Sequence, residues 1–311
     1  LNVERNKKLL AVALQNSDSH DRVYSQIKER TDSGLGSRSE FEQAGSRLAL
    51  AHSNYMTQLN AYEDSLTNFE KVYGALPDME DFEESALSVT VPESYDDAKE
   101  LVETNNPTLL LHGYNFKAAQ DNYAATKQNY LPVIDLEVKK GISENVSGIE
   151  GKNENLSGIV RLTYNFYNGG ADQANRQKGI SLMHQESDLR ASTQRNVNQT
   201  LRLSWKKLEI LERQMKFFSQ HAELSKSTVD SYNEEFKLGR RNLLDLLIAE
   251  SEYNGARQAK VNGEYDRLLA KIRISNVLGS LLESFDIEIL DQLGLDGDSE
   301  IEIEKDSEDI D

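Results

Sequence analysis

Histidine is the side chain best suited to proton or metal chemistry near neutral pH, and the chain has five: His20, His52, His112, His184 and His221. They are scattered. None stands at i, i+4 to another and no HExxH motif occurs, so their spacing builds no zinc site. Cysteine is absent, which excludes disulfides, thiolate metal sites and a cysteine nucleophile. No GxSxG, P-loop or GxGxxG segment is present. Asp296-Gly297-Asp298-Ser299-Glu300 has the composition of a calcium loop but lacks the frame of Gly at loop position six and Glu at twelve. A solvated acidic stretch is the better reading. The sequence therefore predicts no catalytic residue, no metal site and no cofactor, and function must come from shape and charge.

The charge narrows the class. The 311 residues carry 53 acids and 35 bases, a net −18. A chain this acidic repels phosphate backbones, so no nucleic-acid partner is expected. The charge is uneven: residues 286–311 hold twelve acids and one base, Lys305, which leaves −7 on the body. With no aromatic residue after Phe285, this tail is predicted to be disordered. The apolar fraction of 38 % is low for one thick globular core. No run of about 18 apolar residues predicts a transmembrane helix. No secretory h-region follows Leu1-Asn2-Val3-Glu4-Arg5.

The elements that must position any site are long helices. From Val197 a 4-3 spacing runs through Leu201, Ser204, Leu208, Leu211, Met215, Phe218, Ala222, Ser225, Val229, Tyr232 and Phe236. A period of 3.5 belongs to a helix packed along neighbours in a left-handed coil. The spacing predicts one helix from just after Gly169-Gly170 to about Phe236, on the order of 100 Å at 1.5 Å per residue, and an elongated molecule. After the break at Lys237-Leu238-Gly239-Arg240-Arg241-Asn242, a return helix spans about 243–282, with Leu244, Leu247, Ile248, Tyr253, Val261, Tyr265, Leu268, Ile272 and Leu281 as its apolar residues. A short glycine-containing connection makes this an antiparallel hairpin. The N-terminal part reads the same way. A seam of Leu10, Ala13, Ser17, His20, Tyr24, Ile27 and Thr31 leads to Ser33-Gly34-Leu35-Gly36-Ser37, and Leu48, His52, Tyr55, Leu59, Tyr62, Leu66, Phe69 and Tyr73 mark the return. An offset of 205 residues pairs Gly34 with Gly239, Glu40 with Asp245, Ala44 with Ala249, Ala51 with Ala256 and Gly74 with Gly279. This predicts an internal repeat, although the return-helix registers coincide poorly. Two unrelated coiled-coil hairpins are the alternative.

Between the hairpins the pattern changes. Pro77 and Pro92 bracket an acidic connector, 78–91, and 94–104 reads as a short helix. Asn105-Asn106-Pro107 restarts a helix that ends near Leu131-Pro132, since proline suits a first helical turn. Then the period becomes two. Ile134, Leu136 and Val138 alternate with charged residues, and Leu156, Gly158, Val160, Leu162, Tyr164 and Phe166 form the apolar side of a second segment, 156–167. Each is about the 9–11 residues of a tilted membrane strand, with Tyr164-Phe166-Tyr167 where an interfacial girdle would lie. On pattern alone, an ordinary soluble hairpin with one wet face fits better.

This order of elements resembles the TolC-like family of outer-membrane efflux and secretion channels, with a flavour closest to type I secretion components. The resemblance covers about residues 1–285. It is carried by Asn105-Asn106-Pro107 with the helix to Leu131-Pro132, and by the strand-to-helix junction Leu162-Thr163-Tyr164-Asn165-Phe166-Tyr167-Asn168-Gly169-Gly170. The two tips, Ser33-Gly34-Leu35-Gly36-Ser37-Arg38-Ser39-Glu40 and Phe236-Lys237-Leu238-Gly239-Arg240-Arg241-Asn242-Leu243-Leu244-Asp245-Leu246-Leu247, complete it. It implies a mainly α fold of long antiparallel coiled-coil hairpins, an α-barrel subunit, with a two-stranded segment of a transmembrane β-barrel. It also implies a homotrimer in outer-membrane lipid of a Gram-negative bacterium with a periplasmic extension, working with a periplasmic adaptor (membrane fusion) protein and an inner-membrane transporter. Family members supply four strands each, so the chain is expected to be a piece lacking the first half of repeat one and its signal peptide.

The resemblance also implies roles. Arg241 matches a gating arginine and Glu40 its acidic partner in the first tip, bonded between neighbouring helix pairs. Phe236 stands where a gating tyrosine is usual, so a hydroxyl link is expected to be lost. Asp245 matches a tunnel-facing acid that three copies would assemble into a cation-favouring ring, with Ile248 where some members have a second acid. Gly34, Leu35, Gly36, Gly239 and Arg240 match the adaptor-docking tips, and Ile134, Leu136, Val138, Val160, Leu162 and Tyr164 match membrane-facing strand positions. Trp205 reads as packing between helices.

The expected organisation is a first hairpin (1–76), a connector with equatorial helices (77–131), a β segment (132–168), a second hairpin (169–285) and the tail (286–311). A soluble coiled-coil scaffold or a periplasmic adaptor is the competing reading. An adaptor has one hairpin rather than two, and a scaffold needs no strands. Arginine at Leu136 or Val160 tests this: on a lipid face it costs about 2–4 kcal/mol at mid-membrane and should abolish assembly into the outer membrane, scored by membrane fractionation, while a soluble scaffold would be unaffected.

Overall fold

The computed structural model describes residues 1–77, 89–144, 148 and 150–285. In order, the elements are α1 (Asn2–Asp32), α2 (Arg38–Tyr73), α3 (Tyr95–Asn105), α4 (Pro107–Ala125), β1 (Val133–Glu144), β2 (Lys152–Thr163), α5 (Ala171–Lys237) and α6 (Leu243–Leu278). Most of the predicted acidic connector, 78–88, and the predicted disordered tail, 286–311, lie outside the described residues. The chain divides into two compact units, Leu1–Ala98 with the residues from Thr200 onward, and Lys99–Gln199.

In the first unit α1 and α2 form one antiparallel hairpin and α1 also packs on α6; the C-terminal part of α5 and α6 form another, with Gly263 against Met215 and Phe218 and Lys207 paired to Asp266. The 205-residue offset holds at the element ends. Helices α2 and α6 are each 36 residues long. Their caps, Ser37 and Asn242, stand 205 apart and accept the backbone N–H of Glu40 and Asp245, which satisfies donors the helix leaves unpaired. Both helices stop at a left-handed glycine, Gly74 and Gly279. The turns match as well. Gly34 and Gly239 have φ of 73° and 69°, and their N–H groups donate to the carbonyls of Thr31 and Phe236 at 3.0 and 2.9 Å. A Cβ would strain that backbone, so glycine sets where each turn falls.

The packing confirms one predicted seam and corrects another. Every buried residue of α5, namely Leu201, Ser204, Leu208, Leu211, Ser225, Val229 and Phe236, lies on the expected 4-3 spacing. In α2 the buried positions are small residues, and in α6 a line of mostly small residues runs beside buried large ones such as Leu246, Leu247 and Ile274. Helix α2 buries Ala44, Ala51 and Ser65, while His52 and Tyr73 of the expected seam are exposed. Helix α6 buries Ala249, Ala256, Gly263, Ala270 and Val277, each seven residues from the next. Under the offset Ala44, Ala51 and Ser65 fall on Ala249, Ala256 and Ala270, so the two registers coincide after all. The reason is steric: a small side chain lets the facing helix come close, and the larger apolar residues wrap the contact from either side. At Gly263 a Cβ would stand 2.8 Å from Met215 Sδ and 2.9 Å from the Phe218 ring.

The second unit is built on local signals. The Asn106 side chain accepts the Leu109 N–H at 3.0 Å and Pro107 occupies the first turn of α4, as the sequence predicts. After α4 a 3-10 turn, Thr126–Tyr130, leads into the strands. The first turns of α5 are tied back to this segment by Asn129 Nδ2 donating to Asp172 at 3.2 Å and by Arg176 donating to the Tyr123 hydroxyl at 3.3 Å. Strands β1 and β2 pair antiparallel, with Ile134 opposite Leu162, Leu136 opposite Val160 and Val138 opposite Gly158. Strand β2 ends at Thr163, four residues short of the predicted end, and Tyr164 lies just past it, edge-on to Phe166 with centroids 4.7 Å apart. Among the described residues, no helix is long and apolar enough to cross a membrane.

The glycine geometry sets a paired expectation. Gly255 lies on the exposed side of α6 with nothing within 4 Å of a built Cβ, so Gly255→Ala should raise stability by about 1 kcal/mol through helix propensity alone. Gly263→Ala gains the same propensity but meets the Phe218 ring, an overpacking of about 1–3 kcal/mol, and should lower stability. Denaturant midpoints of the two variants should move in opposite directions.

Candidate functional site

Arg241 sits in the turn between α5 and α6, where the chain reverses over its own helix end. The Arg240 N–H donates to the Glu235 carbonyl at 2.8 Å and closes the turn. This brings the Glu235 side chain beside Arg241, whose Nε donates to Oε2 at 2.9 Å while Nη2 lies 2.7 Å from the same oxygen. Nη1 reaches Asp245 Oδ2 at 3.5 Å, one helical turn into α6. The guanidinium lies over the Tyr232 ring, 4.0 Å from its centroid. The hydrogen bond to Glu235 holds the guanidinium pKa above its ordinary value, against an opposing loss of solvation. Two carboxylates and a ring face thus hold one cation, and all four residues belong to a single hairpin.

Within the chain Arg241 is held by Glu235, Asp245 and Tyr232, not by Glu40. Glu40 is engaged in a capping box: its carboxylate accepts the Ser37 N–H at 3.3 Å and its own N–H donates to Ser37 Oγ at 3.1 Å. Phe236 lies on the expected seam. It is 4 % exposed, in a core with Val23, Ile27, Ala44, Leu243, Leu246 and Leu247, and the Arg30 guanidinium lies 5.3 Å from its ring centroid. It fastens the two hairpins together near their tips. Tyr232, one turn earlier, supplies the aromatic group under Arg241. Sequence reasoning placed Tyr232 on the seam and missed Glu235. The available signal was Glu235 standing six residues before the arginine across a glycine turn. Asp245 has its backbone N–H on Asn242 and its carboxylate toward Arg241, while Ile248, one turn on, is exposed.

The tip residues divide by environment. Gly34, Leu35, Gly239 and Arg240 are all exposed at the turns. Gly36 is half-buried, and a Cβ there would stand 2.8 Å from Thr31 Oγ1, so its place is a packing requirement.

The strand pair presents two unlike faces. Ile134, Leu136 and Val138 share one face with Leu156, Val160 and Leu162, and all six are largely uncovered, Leu136 at 72 %. The other face carries Asp135 opposite Arg161 and Glu137 opposite Ile159, with Glu137 paired to Lys139. An apolar face of this kind on a narrow ribbon needs lipid or another apolar surface. Tyr164, placed with this face by the sequence, stands beyond the strand end instead.

The fold and sequence have known relatives. Residues 100–280, more than half of the chain, match the family model described as outer membrane efflux protein. The outer membrane efflux protein BepC of Brucella suis is 25 % identical over 86 % of this chain and 57 % of its own length. Outer membrane protein TolC of Escherichia coli is 21 % identical over 84 % and 56 %. The proteases secretion protein PrtF of Dickeya chrysanthemi is 20 % identical over 80 % and 56 %. The chain thus spans little more than half the length of these relatives. A membrane protein of Pseudomonas aeruginosa shares the fold with a TM-score of 0.78 at 17 % identity, over 89 % of this chain and 63 % of that one. The Campylobacter jejuni CmeC outer membrane channel does so with a TM-score of 0.75 at 14 % identity, over 93 % and 65 %. The chain belongs to the outer membrane efflux protein family and is a protein of the outer membrane.

Proposed function

We propose that the protein carrying this chain is the subunit of a homotrimeric channel that exports proteins or small molecules across the outer membrane, together with an inner-membrane transporter and a periplasmic adaptor. In this reading the apolar strand face meets outer-membrane lipid. The tips at Gly34, Leu35, Gly239 and Arg240 meet the adaptor, and Arg241 with Asp245 stands at the closing end of the tunnel. One relative being a proteases secretion protein supports an export role.

The observation that carries assembly is an uncovered stripe on α5. Leu203, Ile210, Phe217 and Leu224 recur every seven residues and are all exposed. Helix α1 turns the matching positions toward α6. Arg5 pairs with Asp266, Gln15 bonds Arg257, Ser19 bonds Glu250, and Val12 between them is 5 % exposed. The offset carries Arg5, Val12 and Ser19 onto Ile210, Phe217 and Leu224. Where α1 is covered by α6 of its own chain, the equivalent face of α5 is bare, with Phe217 at 64 % exposure. The repeat relation makes α2 of a second copy its natural cover, through the exposed Met56, the counterpart of Val261. Such a head-to-tail contact generates a closed ring when its rotation closes. A soluble scaffold would leave both this stripe and the strand face unexplained.

Two measurements test the reading. Phe217→Glu replaces a buried interface aromatic, worth about 2 kcal/mol per contact, with a charge. It should lower the trimer fraction at least about tenfold in detergent by native electrophoresis; an unchanged trimer rejects the stripe as an interface. Arg241→Glu in the full-length protein reverses the charge between Glu235 and Asp245 and should raise single-channel conductance in planar bilayers severalfold. Unchanged conductance would remove Arg241 from the gate.

A further inference from the structure

A polar cavity of about 450 Å³ lies among α1, α5 and α6, immediately beyond the apolar tip core. Val23 belongs to both, so the cavity wall and the tip core share a side chain. Inside a coiled-coil wall such a space is unusual, because the seam positions on either side are closed by packed residues. Glu250 of α6 faces it. The Ser19 hydroxyl of α1 donates to the Glu250 carboxylate, Arg22 of α1 and Arg257 of α6 act on it as cations, and Asp230 of α5 acts as a like charge. Asp18 of α1 and Lys226 and Lys237 of α5 complete the charged lining. The Asn254 Oδ1, buried in the same wall, has no hydrogen-bond partner.

We propose that Glu250 is a pH-operated strut between α1 and the α5–α6 hairpin: ionised, it keeps the cavity open and hydrated, and protonated, it lets the helices close. The reasoning is one of solvation. A carboxylate in this wall needs water or a full set of donors, and here it has one hydroxyl and two cations, offset by a neighbouring acid. Burial is the largest influence on Glu250 and lifts its pKa above the ordinary 4.5, with Asp230 acting in the same direction and Ser19, Arg22 and Arg257 against it. Burial thus already penalises the charge at this width, and closer packing would remove more water and raise the pKa further, so a closed arrangement binds the proton more tightly than the open one. Acid therefore favours closure, over a window that lies above the ordinary 4.5. His20 acts in the opposite sense. It lines a smaller neighbouring space with Arg47, and burial followed by the Arg47 charge lowers its pKa below 6.5, so its protonation opposes close packing. The two contributions separate by substitution.

The test is a distance, independent of conduction, so its failure would leave the channel reading standing. The chain has no cysteine. Spin labels at Gln26→Cys and Asn233→Cys, both lining the cavity, report its width in full-length protein reconstituted in vesicles. The distance should shorten as pH falls, with a midpoint above 4.5. Glu250→Gln should show the short distance already at neutral pH and lose this transition, and Glu250→Asp should retain it. A transition that survives unchanged in Glu250→Gln, or a wild-type distance that does not respond to pH, overturns the proposal.

Discussion

The close approach of two helices within each hairpin is the constraint on which the rest depends. Alanine, serine and glycine at seven-residue spacing in α2 and α6 set how near α1 and α5 can lie. Once that distance is fixed, the glycine turns and side-chain caps determine where each tip falls, because Ser37 and Asn242 leave no freedom over where the return helix begins. The core of Phe236, Ile27 and Leu246 then joins one tip to the other. A larger residue on the small-residue line would separate the helices and move the tip with them. The polar groups at the tips are therefore positioned jointly by the small-residue line and by this apolar core.

This explains which parts were legible in the sequence. The α5 seam could be read because Leu201, Leu208, Leu211 and Val229 are both large and buried, so hydropathy and burial coincide. In α2 they do not. Ala44, Ala51 and Ser65 carry the close contact, whereas Tyr73 only shares the spacing of the flanking apolar residues and His52 reaches α1 from the flank, with Nδ1 3.0 Å from Ser17 Oγ. A pattern that ranks residues by size selects the flank. The glycines did mark both turns, since a left-handed backbone leaves a compositional trace at Gly34 and Gly239. The strands were legible as alternation, but the end of β2 was not, because Tyr164 and Phe166 continue the apolar period after the ladder has stopped.

The tip charges were legible only in part, and the reason is competition. Arg241 was identified through the resemblance, which points to a partner in the other hairpin. The turn instead offers Glu235 across a closed loop and Asp245 one helical turn on. Both are available without ordering another segment, so local pairing precedes any pairing between hairpins. Glu40 is already used by the Ser37 cap, a device worth roughly 1 kcal/mol, and would have to leave it to meet a cation.

Under the proposed channel function, that competition sets the cost of changing the tip's charge pairing. A cation held by one buried acid is expensive to release, because the acid is left unpaired in a dry site. Arg241 is instead held at a partly exposed surface by two carboxylates and an aromatic face. When one contact is lost, water and the remaining two replace it, so the penalty for each step is small. The stiffness of the tip resides in the Phe236 core, and the polarity resides in the Arg241 cluster. Separating the two allows the charge pairing to be exchanged while the apolar core stays packed. In a hairpin where the same residue both packed the core and made the link, each exchange would also open the core.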